Sequence, residues 1–454
     1  MNRLVSLLLG VLLSSTLSAA DDEAEKPKTP FSAENFSGIK LREIGPAVTS
    51  GRIADIAVVP GRPAVWYVAA ASGGVWKTAN AGTTWTPLFD KEGSYSIGCV
   101  SVDPENPNAI WVGTGENNSQ RSVGYGDGVY KSLDGGKSWK NVGLKSSEHI
   151  GKIIVDAKDS DIVYVAAQGP LWAAGGDRGV YKTTDGGKTW KAVLTISENT
   201  GASDLWMDPR DPKVLYAASY QRRRHVWGMV HGGPESAIWK TTDAGATWRK
   251  LEKGIPKGDL GRIGLAVSPA DPDVVYAMVE ATDPKDRGTY RSTDRGESFT
   301  RVGEYASPGP QYYQEMIPDP KDVDRVYSMD TLNMVTEDGG KTWKRLGEKH
   351  KHVDNHALWI DPADTSHLVN GNDGGVYESW DRGATWEFKA NLPVTQFYRV
   401  AVDESKPFYF VYGGTQDNTT LGGPSRTTTA HGIVNADWFV TTGGDGFFCA
   451  IDPE

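Results

Sequence analysis

The strongest constraint on the fold is a short phrase that recurs down the chain. It runs from Thr183 through Asp185 and Gly187 to Trp190, with near-copies at Thr78 to Trp85, Ser132 to Trp139, Thr241 to Trp248, Ser292 to Phe299, Thr336 to Trp343 and Ser379 to Trp386. Copies spaced by roughly 40–60 residues fit a unit of four short strands. Within each copy the Ser/Thr and Asp side chains can accept from backbone N–H groups a few residues on, closing a tight turn from inside. Glycine supplies the left-handed backbone such a turn needs, and the final aromatic enters the core. These aspartates are therefore read as structural staples rather than catalytic groups.

The pattern resembles the Asp-box, or bacterial neuraminidase repeat, of β-propellers, found in sialidases, family 74 xyloglucanases, sortilin-type receptors and photosystem II assembly factors. The resemblance covers about Gly51 to Trp386 and implies an all-β propeller of at least seven four-stranded blades. The block from His352 to Trp386, with Gly413 to Asn418 and Gly443 to Gly446, also resembles large exported bacterial repeat proteins of sortilin N-terminal-like or glycosyl hydrolase-like type. Such relatives do unrelated things on one scaffold.

Each repeat reads as an inner strand such as Ile97 to Val102, an Asp-Pro turn, a second strand (Ala109 to Gly113), a third (Gly128 to Ser132) running into the box, and a fourth from Trp139. Phe36 to Ile44 resembles the segment after each box and is expected to be an outer strand that closes the ring. Residues 36–394 would form the seven-bladed region. An eighth unit is expected at Phe397 to Asp403, Tyr409 to Gly413 and Trp438 to Thr441, and the first strand of a ninth at Phe447 to Pro453. A lone inner strand leaves its ladder unpaired, so the sequence reads as truncated within a further blade or a second ring.

Met1 to Ala20 carries Arg3, an apolar run from Leu4 to Leu13 and a small-residue exit at Ser18 to Ala20, the pattern of a cleaved signal peptide. A secreted or periplasmic protein is expected, with residues 21–35 a disordered leader. No later stretch is long and apolar enough for membrane insertion. The net charge of −10 argues against nucleic acid as a partner. Cys99 and Cys449 read as two buried thiols, with a bridge permitted but not required.

Antiparallel order puts the box turns and Asp-Pro turns on one face, the bottom, and the irregular loops on the other, the top. Long top loops occur at Glu116 to Asp127, Tyr220 to Glu235 and Gln416 to Asn435. Polar top-face residues suited to a ligand are Arg52, Glu116, Asn117, Arg121, Trp227, Arg262, Arg399, Gln416, Asp417 and Asn418. Tyr312, Tyr313 and Tyr398 add aromatic surface, and Arg222, Arg223 and Arg224 are either part of this mouth or a solvated basic run. Strand alternation would point His352, Asp354 and His356 one way, with Asp373 on the adjacent loop. These four could hold a divalent metal or form a hydrogen-bonded polar site.

The resulting reading is a binding protein whose top face takes a glycan or an extended peptide, with a protein partner also compatible. The alternative is a glycoside hydrolase acting on polysaccharide, for which Asp354, Asp373, Asp417 and Glu315 are the candidate carboxylates. The resemblance does not carry a catalytic residue across. Where family 74 xyloglucanases have an aspartate before the Gly-Gly of the first blade, this chain has Ala71, and the run Arg52 to Ala54 departs from the sialidase Arg-Ile-Pro signature.

Overall fold

The computed structural model describes residues 33–39 and 41–452. The signal-peptide reading and most of the expected leader lie outside them. The described residues before Ile44 form one unit, containing a single helical turn at Ala33–Phe36. No strand forms between Phe36 and Ile44, so the expected closing strand is absent among the described residues.

From Ile44 onward the chain folds as a separate unit of eight antiparallel sheets, each made from strands consecutive in sequence. Blade 2 shows the pattern: Ile97–Val102, Ile110–Thr114, Val129–Ser132 and Lys140–Gly143. Seven hydrophobic clusters lie between successive blades, and the seventh joins blade 7 to blade 1. The last of these packs Ile53, Trp66, Val68 and Ala70 against Ala357, Val369, Val376 and Leu392. The ring is therefore a β-propeller that closes by blade-to-blade burial rather than by a borrowed strand. Asn391, just past blade 7, fastens the seam by donating to the carbonyls of Gly82 (2.9 Å) and Thr83 (2.8 Å).

The repeat turns have the expected geometry. In blade 3, Asp185 Oδ1 accepts from Thr189 N (2.9 Å) and from the Thr183 hydroxyl (2.7 Å), while Thr183 Oγ1 accepts from Gly187 N (3.0 Å). Gly187 sits at φ +92°, where a side chain would be strained. The hydroxyls and N–H groups facing Asp185 hold its carboxyl well below the usual range.

The inner strands line the central channel and most carry a bulge, as between Ile53 and Asp55 and between Ala202 and Asp204. Bulges re-aim a side chain. Here Asp55 accepts from Val100 N of the next blade (2.9 Å), and Asp204 from Leu265 N of the next blade (3.0 Å).

The eighth sheet (Arg399–Val402, Phe410–Gly414, Thr420–Pro424 and Phe439–Thr442) stands outside the seven clusters, with Val400, Val402, Phe439 and Val440 exposed. The expected ninth strand does not form among the described residues to Asp452. Cys99 is buried, Cys449 is half-buried, and neither is bridged.

Candidate functional site

A cavity of about 280 Å³ opens on the top face where blades 1 and 7 meet the eighth sheet. Asp354, Asp373 and Asp417 line it, and one carboxylate oxygen from each lies within 4.8 Å of the others. They arrive by three routes. Asp373 follows the second strand of blade 7 (Leu368–Asn372) and its N–H donates to Asp354 O (3.1 Å). Asp354 precedes the inner strand Asn355–Ile360 in a left-handed conformation, φ +63°, that aspartate tolerates. Asp417 stands in the hairpin after Phe410–Gly414, where its N–H donates to Asp445 Oδ1 (2.8 Å).

Their surroundings set Asp373 and Asp417 apart electrically. Asp373 is buried and surrounded by donors: Arg52 Nε at 2.9 Å and Nη2 at 3.2 Å, the Tyr312 hydroxyl at 3.0 Å, and His356 Nε2 at 2.8 Å. Burial alone would raise its carboxyl, but Arg52 and His356 outweigh it and hold the group well below the usual carboxylate range. Asp354 accepts from the Tyr313 hydroxyl. Asp417 faces solvent on one side; partial burial and the neighbouring Asp445 carboxyl raise it to about 6. The pocket thus holds one fixed anion and one carboxyl that titrates near neutrality.

Several of the expected ligand-binding residues also hold protein groups in place. Arg52 bridges Asp373 and Glu116 (3.0 Å), with both carboxylates buried. Asn418 donates to Asp373 O (2.9 Å) and accepts from the Thr49 hydroxyl (2.6 Å). Asn117, Arg262 and Glu315 make a second cluster at the channel mouth, with Arg262 Nη2 2.6 Å from Glu315 Oε1 and Asn117 Nδ2 3.2 Å from the same oxygen. These three border the channel cavity and not the acidic pocket, so Glu315 is separate from the other candidate carboxylates. Arg399 lies over the Phe448 ring, and Arg121 and Trp227 are exposed on other top loops. Gln416 does line the pocket.

The expected grouping of His352 with Asp354, His356 and Asp373 holds only in part. His356 meets Asp373, but His352 turns back to its neighbour, with Nδ1 2.8 Å from Val353 O. Alternation fails because the strand begins only at Asn355, after the left-handed Asp354, and is bulged between Asn355 and Ala357. The acidic trio, rather than the four residues expected, is the set with the spacing to share a hard cation.

The wall of the pocket draws on the expected top-face aromatics and on three residues the sequence did not single out, Gln120, Ser122 and Gln311. Gln120 and Ser122 come from the blade 2 loop, Gln311 from the loop before blade 6, and Tyr312 and Tyr313 pair with the carboxylates. That wall is one piece, since Ser119 N donates to Gln311 O (2.9 Å) across the channel mouth. Two loops nearly 200 residues apart meet there, and nothing local in either marks the meeting.

Fold and site together define a β-propeller with a carboxylate-lined top pocket. Comparison with known proteins sharpens that class. The family model described as sortilin, neurotensin receptor 3, matches residues 127–254. A probable oligoxyloglucan-reducing end-specific xyloglucanase of Neosartorya fischeri is 25% identical over 384 residues, covering 76% of this chain and 39% of that protein. A xyloglucanase of Hypocrea jecorina is 26% identical over 355 residues, covering 71% and 39%. The structure is similar to a family 74 xyloglucanase from Xanthomonas campestris with a TM-score of 0.60 at 15% identity, over 84% of this chain and 60% of that one. The chain thus spans about two fifths of the length of these curated relatives. The resemblance to sortilin-like and family 74-related propellers holds for the fold.

Proposed function

We propose that the protein is a glycoside hydrolase that acts on a polysaccharide, with xyloglucan the first candidate substrate. The observation that carries this reading is the placement of Asp354 and Asp417 across one pocket, within 4.8 Å, Asp354 half-buried against the Tyr313 hydroxyl and Asp417 exposed beside Asp445. Hydrolysis of a glycosidic bond needs one carboxyl to protonate the departing oxygen and a second, ionised, to act at the anomeric carbon. Asp417, raised to about 6, is the proton donor. Asp354, on the strand side, takes the second role, and the close spacing belongs to the retaining geometry of about 5 Å rather than the wider inverting one. Asp373, held as an anion by Arg52 and His356, shapes the pocket and keeps a fixed negative charge beside an oxocarbenium-like centre. The names of the relatives supply the substrate class.

The test is a reducing-sugar assay on xyloglucan and other β-linked polysaccharides. Asp417→Asn and Asp354→Asn should each lower turnover by at least a hundredfold, and wild-type activity should fall as pH rises through about 6. A second reading, binding without hydrolysis, is favoured by Ala71, a buried alanine at the place of the family's catalytic aspartate. Polysaccharide binding with no turnover by wild type would select it. Export, expected from Met1 to Ala20, belongs to the same proposal, and a mature N-terminus near Asp21 by mass spectrometry would support it. No helix among the described residues is long and apolar enough to cross a membrane.

A further inference from the structure

Blade 4 carries one element that no other blade has. Its second strand, Asp211–His225, runs past the sheet and pairs with Gly228–His231 to make a two-stranded ribbon above the top face. The ribbon ends in Val226 and Trp227, 95% and 83% exposed, and the Trp227 indole lies flat against the His225 ring at 4.7 Å and 3°.

The base of the ribbon is held from several directions. Arg222, fully buried, donates to Asn118 O (2.8 Å), to the Ser119 hydroxyl (3.1 Å) and to Gly169 O (3.3 Å). Arg224 Nε donates to Ser119 O (2.7 Å), and its N–H to Leu171 O (2.8 Å). His231 meets the Tyr220 hydroxyl on one side and Glu280 of blade 5 at 2.7 Å on the other. Next to Leu171 the Trp172 indole is also 46% exposed. A large aromatic on a braced ribbon loses little conformational entropy when it is covered, which is what a stacking surface requires.

The same loop that the ribbon grips forms the pocket wall. Ser119 is held by Arg222 and Arg224, while Gln120 and Ser122 line the acidic cavity. The ribbon tip and the carboxylate pocket are therefore two places on one face, joined through the loop that Arg224 grips at Ser119 and that lines the cavity at Gln120 and Ser122.

We infer that the blade 4 ribbon is a remote binding platform, on which Trp227 stacks against a sugar ring of an extended neutral polysaccharide whose other end lies in the Asp354–Asp373–Asp417 pocket. This rests on the glycan reading of the pocket and adds the substrate's length to it. The flat His225–Trp227 pair matches the apolar face of a pyranose, and the gripped loop keeps platform and pocket in one frame. Energy gained at the ribbon would then position the chain for reaction elsewhere.

The experiment measures Kd for polymeric xyloglucan and for a short xyloglucan oligosaccharide with wild type, Trp227→Ala and Trp227→Phe, with thermal melts to confirm that each variant folds. Losing one stacking ring should lower the polymer-to-oligosaccharide affinity ratio about tenfold in Trp227→Ala, and Trp227→Phe should restore most of it. A ratio unchanged in Trp227→Ala, or an equal loss for both ligands, would overturn the platform. Wild type that binds neither ligand would instead overturn the glycan reading beneath it, so the two failures are told apart.

Discussion

The bottom and top of this ring are built by opposite rules. Below, one interaction is repeated around most of the ring: Lys77, Lys131, Lys182 and Lys240 each reach the repeat turn of the following blade, donating to Gly135 O, Gly186 O, Ala244 O and Arg295 O at 2.7–3.1 Å. Each ammonium also lies over a Tyr or Trp ring of its own blade. Above, charges are buried in sets that differ from blade to blade, such as Arg52 with Asp373 and Glu116. Repetition spreads stability thinly over many equal contacts. The pocket concentrates it in a few, as expected where polar groups must stand in a fixed arrangement.

The largest expected effect follows from that concentration. Arg52→Met leaves two carboxylates buried without their cation and should destabilise by about 3–5 kcal/mol in denaturant unfolding. A loss below 1 kcal/mol would mean that the top is as distributed as the bottom.

The next effect is a pH dependence centred on the channel. Burial, only partly offset by the N–H groups of Val100 and Ile56, raises Asp55 to about 6. Its contribution is full below the unfolded value near 4 and is lost as pH rises through about 6, a change of about 3 kcal/mol. Asp55→Asn should flatten the stability profile between pH 4 and 7, measured by urea unfolding at each pH.

The smallest effect belongs to the bottom. Thr183→Val removes one hydroxyl that joins Gly187 N to Asp185, at a cost of about 1–2 kcal/mol. The same change at Thr241 should cost about the same, because that turn repeats the bonds. A large difference between the two would break the rule of equal contacts.

The same contrast decides what could be read from sequence. Each repeat turn is closed by atoms within about nine residues, so its bonds are legible in the phrase itself, and the inner strand Ile97–Val102 falls where expected. Asp354, Asp373, Asp417 and Arg52 could be named as top-face groups because loop polarity marks them. Asp354 and Asp373 could also be grouped, but the pairing of Arg52 with Asp373 could not, since they are 321 residues apart, and the left-handed residue at Asp354 undid the alternation expected to bring in His352. Ring closure was misread for the same reason: a similarity near Phe36 suggested a strand, whereas the seam is made by whole faces of blades 1 and 7.

That seam also sets an order of events during synthesis. Six interfaces join blades adjacent along the chain, so each can form as soon as its second blade leaves the ribosome. The seventh cannot, because Asn391 must find Gly82 309 residues back. Until then the nascent protein is an open arc whose blade 1 edge shows Ile53, Val68 and Ala70 to solvent. Closing so long a loop is slow, and exposed apolar surface invites association meanwhile. The interval between the first blade and the last is therefore when this molecule most needs dilution or a chaperone.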